Sequence, residues 1–126
     1  VGGVRDGFEL VEEADVYDFS TGVWSTCSAP AKPRLTAECV VLDGSCYLVG
    51  GMSKGADGEM EANRSIEVYD AEADAWRVLV PDVGFDTSFA RAFAVDGKIL
   101  IFTMHSEGDT RADLAIVDPS RFPRSN

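Results

Sequence analysis

Few residues in this chain have the types and spacing that chemistry requires. The single histidine, His105, lies in Met104-His105-Ser106-Glu107-Gly108-Asp109. A hydrolytic triad needs a histidine in contact with a nucleophile and an orienting acid. Ser106 and Asp109 neighbour His105 only along the chain, so no catalytic residue is expected. Asp57, Glu59 and Glu61 place carboxylates at alternate positions, which suggests a calcium loop. The segment lacks the ligand order of an EF-hand and its closing bidentate glutamate, so a solvated acidic loop is expected and no metal site. Gly51, Gly55 and Gly58 do not follow phosphate-loop spacing, and no nucleotide or other cofactor is expected. Asn63-Arg64-Ser65 is a formal glycosylation acceptor, relevant only on a secretory route.

Cysteine usage and charge narrow the setting. Cys27, Cys39 and Cys46 form no C-x-x-C pair, and an odd count makes a poor disulfide framework. Cys39 and Cys46 sit in apolar runs, where small buried thiols are common. Reduced packing residues are therefore expected, favouring a reducing compartment, the cytoplasm or nucleus. The formal net charge is −11, against nucleic acid and against an anionic membrane surface, both of which attract clustered cations. No apolar run approaches the roughly 20 residues that span a bilayer. The 126 residues would suit one compact domain, but the chain opens Val1-Gly2-Gly3 without methionine and reads as an excerpt.

The elements that would hold these residues repeat. Val16-Tyr17-Asp18, followed by Trp24, aligns with Val68-Tyr69-Asp70, followed by Trp76, at an offset of 52 residues (69 − 17, 76 − 24). A degraded copy, Ile116-Val117-Asp118, follows. Asp43-Gly44 and Asp96-Gly97 each join two apolar runs, and Asp-Gly is a strong two-residue hairpin signal because glycine accepts positive φ. The flanking runs, Ala92 to Val95 and Ile99 to Phe102, are nearly continuous in apolar residues, as strands covered on both faces are. Ser65 to Tyr69 alternates polar and apolar residues, Ala71 to Asp74 is a polar turn, and Trp76 to Val80 is extended again. One copy thus predicts four antiparallel strands in about 50 residues, a unit that buries its faces by stacking on copies of itself.

Strand, Asp-Gly, strand, Gly50-Gly51, then Tyr69-Asp70 and Trp76 resembles the kelch repeat, whose period of about 50 residues agrees. The match weakens downstream, where Thr103-Met104 replace the two glycines and Val117 replaces the tyrosine. The phrase Val16 to Trp24 is most similar to the F-box/kelch type. The resemblance implies an all-β fold, a kelch-type β-propeller fragment of about two and a half four-stranded antiparallel blades. Residues 1–30 are expected to end a first blade, 31–81 to form a complete one, and 82–126 an incomplete, degenerate one. The remaining blades are expected from the rest of the parent chain, and the arc has exposed strand edges that invite association. Gly50 and Gly51 are expected to end a strand where the backbone turns or passes an aromatic ring. Tyr17, Trp24, Tyr69 and Trp76 are expected to pack between blades.

In such propellers the long connections open around the mouth of the central channel, and long loops on a rigid scaffold carry recognition. The resemblance therefore implies a protein-binding rim of Lys32, Arg34, Asp57, Glu59, Glu61, Arg64, His105, Glu107 and Arg111. Arg34 stands where kelch repeats often carry an arginine, either as a structural bond to a neighbouring blade or as a ligand contact. The implied function is a non-enzymatic interaction module that recognises a protein substrate, as in F-box/kelch ubiquitin-ligase receptors. A galactose-oxidase-type enzyme or an actin-associated scaffold are the alternatives. The copper site of the former draws on several histidines and tyrosines, and one histidine leaves it unsupported.

Overall fold

The computed structural model describes residues 1–7, 9–104 and 112–122. Two short hairpins lead the chain, β1 (Val4–Arg5) with β2 (Glu9–Leu10), then β3 (Ala14–Asp18) with β4 (Val23–Cys27). A four-stranded antiparallel sheet follows, built from β5 (Glu38–Leu42) and β6 (Ser45–Val49), and, beyond an excursion made by β7 (Met52–Lys54) and β8 (Met60–Ala62), β9 (Ile66–Asp70) and β10 (Ala75–Val80). Its order is β10-β9-β6-β5, so the excursion leaves β6 and β9 hydrogen-bonded neighbours. The last sheet holds β11 (Arg91–Val95), β12 (Lys98–Met104) and β13 (Ala112–Val117), and a 3-10 turn spans Pro119–Arg121. The fold is all-β and that of a propeller fragment.

Both Asp-Gly pairs turn as expected. Leu42 pairs Ser45 and Val95 pairs Lys98, leaving two residues per turn. Asp43 and Gly44 lie at φ 50° and 77°, Asp96 and Gly97 at 51° and 73°. Positive φ at both central positions matches the right-handed twist of the paired strands.

Side-chain alternation divides the central sheet into two unlike faces. Val40, Tyr47, Val49, Ile66, Val68 and Leu79 point to one side and pack with Ala90, Ala92, Ile99, Ile101 and Val117 of the last sheet into a single buried cluster. Cys39, Val41, Cys46, Glu67, Tyr69, Trp76 and Val78 share the other face by register. The outer face of the last sheet is open, with Leu114 and Ile116 exposed. Apolar runs that read as buried on both faces are thus covered on one.

The repeated Asp has a local role. Asp18 Oδ1 accepts from the Ser20 N–H at 2.8 Å, Asp70 Oδ1 from the Glu72 N–H at 3.0 Å, and Asp118 Oδ1 from the Ser120 N–H at 3.0 Å. Each carboxylate closes the turn two residues on, as Asx turns do. After Asp118, Pro119 starts the 3-10 turn, so the third copy departs from the hairpin of the other two.

The aromatic pairs recur with unequal burial. Tyr69 and Trp76 lie with ring centroids 5.1 Å apart, as do Tyr17 and Trp24. Tyr69 and Trp76 are half-buried, and the Trp76 indole donates to the Ser28 carbonyl at 2.8 Å. Ser28 N–H donates to Asp74 Oδ1 at 2.8 Å, which also accepts from the Tyr69 hydroxyl at 2.6 Å. These bonds join the central sheet to the chain leaving β4. Trp24, by contrast, is 68% exposed, correcting the expectation that all four rings are buried. Among the described residues β3 and β4 pair only with each other.

Two outcomes are expected. Ile66→Ala, from the closed core, lowers stability by about 2–5 kcal/mol in urea unfolding, whereas Ile116→Ala stays within about 0.5 kcal/mol. The seam also responds to acid. The Ser28 N–H first, and the Tyr69 hydroxyl next, hold the Asp74 carboxyl below its ordinary value of 3.8. Because the folded value is the lower one, the seam's contribution is complete above pH 3.8 and is lost as pH falls through the folded value. Trp76 fluorescence in a Trp24→Phe background reports that loss, and in Asp74→Asn the transition tied to this carboxyl is absent.

Candidate functional site

Pro30 and Pro33 stiffen the connection into the central sheet, and Arg34 turns inward from it with 2% of its surface exposed. Its Nη1 donates to the carbonyls of Gly50 at 2.9 Å and Ser65 at 3.0 Å. Its Nη2 donates to Ser65 Oγ at 2.8 Å and to Glu67 Oε2 at 2.6 Å. Glu67 is buried on β9, and its other oxygen accepts from the Ala31 N–H at 3.3 Å. The Arg34 side chain is therefore a clamp buried within its own four-stranded unit. A rigid guanidinium fork suits this place because two carbonyls, a hydroxyl and a carboxylate converge on it.

A second network adjoins the clamp. Ser65 Oγ donates to Asn63 Oδ1 at 2.7 Å, Asn63 Nδ2 donates to Ser53 Oγ at 3.0 Å, and Ser53 Oγ donates to the Pro33 carbonyl at 2.8 Å. The proline-bearing connection is thereby tied to β7 and to the start of β9.

Gly50 and Gly51 make close backbone packing possible. Both have positive φ, 64° and 87°. A Cβ on Gly50 would lie 2.7 Å from the Thr87 carbonyl oxygen, and one on Gly51 2.6 Å from that of Leu35. The close approach is thus to backbone rather than to an aromatic ring. The same contacts occur a repeat earlier: Gly3 N–H donates to the Arg34 carbonyl at 2.9 Å, and Gly51 N–H to the Thr87 carbonyl at 2.9 Å. Thr87 thus stands in the next unit where Arg34 stands in this one, and its hydroxyl donates to the Asn63 carbonyl at 2.8 Å.

The remaining rim candidates separate by position. Lys32, Glu61 and Arg64 line one cleft of about 390 Å³ with Ser53, Asn63 and Asp82. Arg64 pairs with Asp82 at 3.0 Å. Asp57 and Glu59 are exposed at the tip of β7–β8, where Asp57 Oδ1 accepts from the Glu59 N–H at 3.0 Å. The connection from Met52 to Arg64 is itself a hairpin, with Ser53 opposite Glu61. His105, Glu107 and Arg111 lie outside the described residues. Among the described residues no three His, Cys, Asp or Glu side chains gather as metal ligands would. The cleft presents both signs of charge on a rigid frame, an arrangement suited to reading a polar surface.

The Kelch motif family model matches residues 33–81, the span that holds the clamp, the glycine pair and all four strands of the central sheet. Residues 33–81 thus match a kelch repeat. Over 70 residues it is 37% identical to the F-box/kelch-repeat protein OR23 of Arabidopsis thaliana, covering 50% of this chain and 15% of that protein. Over 69 residues it is 39% identical to the F-box/kelch-repeat protein At1g67480 of the same plant, covering 53% and 17%. The chain thus spans about a sixth of the length of these relatives. The solved structure of YjhT overlays with a TM-score of 0.58 at 24% identity, over 63% of this chain and 23% of that one, a likeness of fold.

Within the kelch repeat, reasoning from sequence missed Glu67, Ser65, Asn63 and Ser53. Glu67 carried a signal: it is the charged residue of β9 on a face otherwise filled by Leu48, Tyr69 and Trp76. Asn63 and Ser65 stood out only as a glycosylation triplet, whereas their side chains bond each other. Arg34→Ala is expected to cost about 3–5 kcal/mol because it strands the Glu67 carboxylate, and Arg34→Met with Glu67→Leu to recover part of that loss. Chemical denaturation of the three variants measures it.

Proposed function

We propose that this kelch segment recognises a protein partner through the cleft at Lys32, Glu61 and Arg64 and the acidic tip at Asp57 and Glu59. The observation that carries the reading is the cleft itself, whose walls are fixed by the buried Arg34 network while its charged groups stay accessible. Preorganised walls reduce the ordering cost of binding, and exposed charges select a partner by complementary potential. A non-enzymatic role agrees with this chemistry. The finer reading is that of a substrate receptor in a ubiquitin ligase, supported by the names of the two plant relatives, both F-box/kelch-repeat proteins. Cytoplasmic or nuclear placement belongs to the same proposal.

Two measurements test it. The full-length protein is expected to co-purify with a cullin–adaptor complex; co-sedimentation with actin filaments instead supports the scaffold reading. Glu59→Lys with Glu61→Lys is expected to lower capture of the bound partner at least tenfold with an unchanged melting temperature. Equal capture by both forms would contradict the cleft as the recognition surface.

A further inference from the structure

The face of the central sheet that turns away from the core carries a pair of thiols. Cys39 on β5 lies opposite Leu48, and Cys46 on β6 lies opposite Val41, so the two cysteines are diagonal neighbours on one face. Their sulfurs are 2.9 Å apart. Diagonal side chains seldom meet so closely, and closing to a disulfide asks the sulfurs to shorten that gap to about 2.05 Å. Cys39 is exposed and Cys46 half-buried, so a small oxidant reaches the Cys39 sulfur first. The Asp43-Gly44 turn fixes the register of the strands and keeps the pair in place.

We propose that Cys39 and Cys46 form an oxidisable dithiol that reacts with hydrogen peroxide, Cys39 as the attacking sulfur and Cys46 as the resolving one. The electrostatics agree with that division of roles. A hydrogen bond from Cys46 holds the Cys39 thiol down at about 7, while the same contact, followed by burial, pushes Cys46 up. The thiolate is the nucleophile, and the lower-lying, more exposed thiol supplies it.

The steps balance. The Cys39 thiolate attacks one peroxide oxygen, the O–O bond breaks, and the departing hydroxide takes a proton to become water, leaving a sulfenic acid on Cys39. Cys46 sulfur then attacks Cys39 sulfur, the S–O bond breaks, and the leaving hydroxide takes the Cys46 proton as a second water. Two thiols and one peroxide become one disulfide and two waters, and a thiol reductant reverses the change. The bridge pins β5 to β6 across the turn. In a reducing compartment, disulfides of this kind are transient and redox-sensing.

Mass mapping of the native full-length protein after peroxide treatment tests the assignment. The tryptic peptide spanning residues 35–54 contains Cys39 and Cys46 and no other cysteine. It is expected to lose two hydrogens, resist maleimide, and recover both thiols on reduction. Cys46→Ser is expected to trap sulfenic acid on Cys39 as a dimedone adduct, and Cys39→Ser to give none on Cys46. The assignment is overturned if both cysteines of the wild-type peptide stay maleimide-reactive after peroxide, if the adduct forms on Cys46, or if the bridges formed join separate molecules. The wild-type mapping decides the matter even if a serine variant fails to fold.

Discussion

A guanidinium held out of water is costly unless its donors find partners, and this constraint organises the central blade. The Nη1 and Nη2 donors of Arg34 find two backbone carbonyls, one hydroxyl and the Glu67 carboxylate, while its Nε is buried with no hydrogen-bond partner among the described residues. Gly50 and Ser65 supply those carbonyls from the end of β6 and the start of β9, so one side chain fixes how the sheet opens into its β7–β8 excursion. The glycine pair follows from the same crowding, because a Cβ at either position would strike backbone. Clamp and glycines together hold the connection before β5 against the hairpin after β6.

The proposed recognition surface lies outside that network. Lys32 and the tip of β7–β8 stay exposed, and the Arg64 side chain makes a partly exposed pair with Asp82. Surface pairs of that kind contribute little stability and cost little to exchange for a partner's charges. The unlike faces of the central sheet follow a similar division. One closes on the last sheet as core; the other carries the Tyr69–Trp76 seam and the two thiols.

Much of this was legible before any coordinates. Asp-Gly pairs fixed both tight turns, because few residues tolerate consecutive positive φ; the Asp43-Gly44 turn placed β5 and β6, and the 52-residue offset placed β9 and β10. The site was less legible. Arg34 read as a possible contact because its partners are two carbonyls that any residue would supply, a serine and a glutamate 33 residues away. Burial of Tyr17 and Trp24 was misjudged, since a motif specifies ring pairing but not whether a sheet lies beside it. The Cys39–Cys46 contact hid in apolar runs because strand register, rather than sequence spacing, brings diagonal residues together.

Native-state amide hydrogen exchange tests whether the Arg34 clamp and the glycine pair make one cooperative unit with the sheet. The amides of Leu35, Gly51 and Met52 donate to Met52, Thr87 and Leu35 carbonyls at 2.9, 2.9 and 2.7 Å. They are expected to exchange with the same opening free energy and the same urea dependence as the β6 and β9 amides. Exchange of these three through a separate, low-energy opening that leaves β6 and β9 protected would contradict that cooperativity.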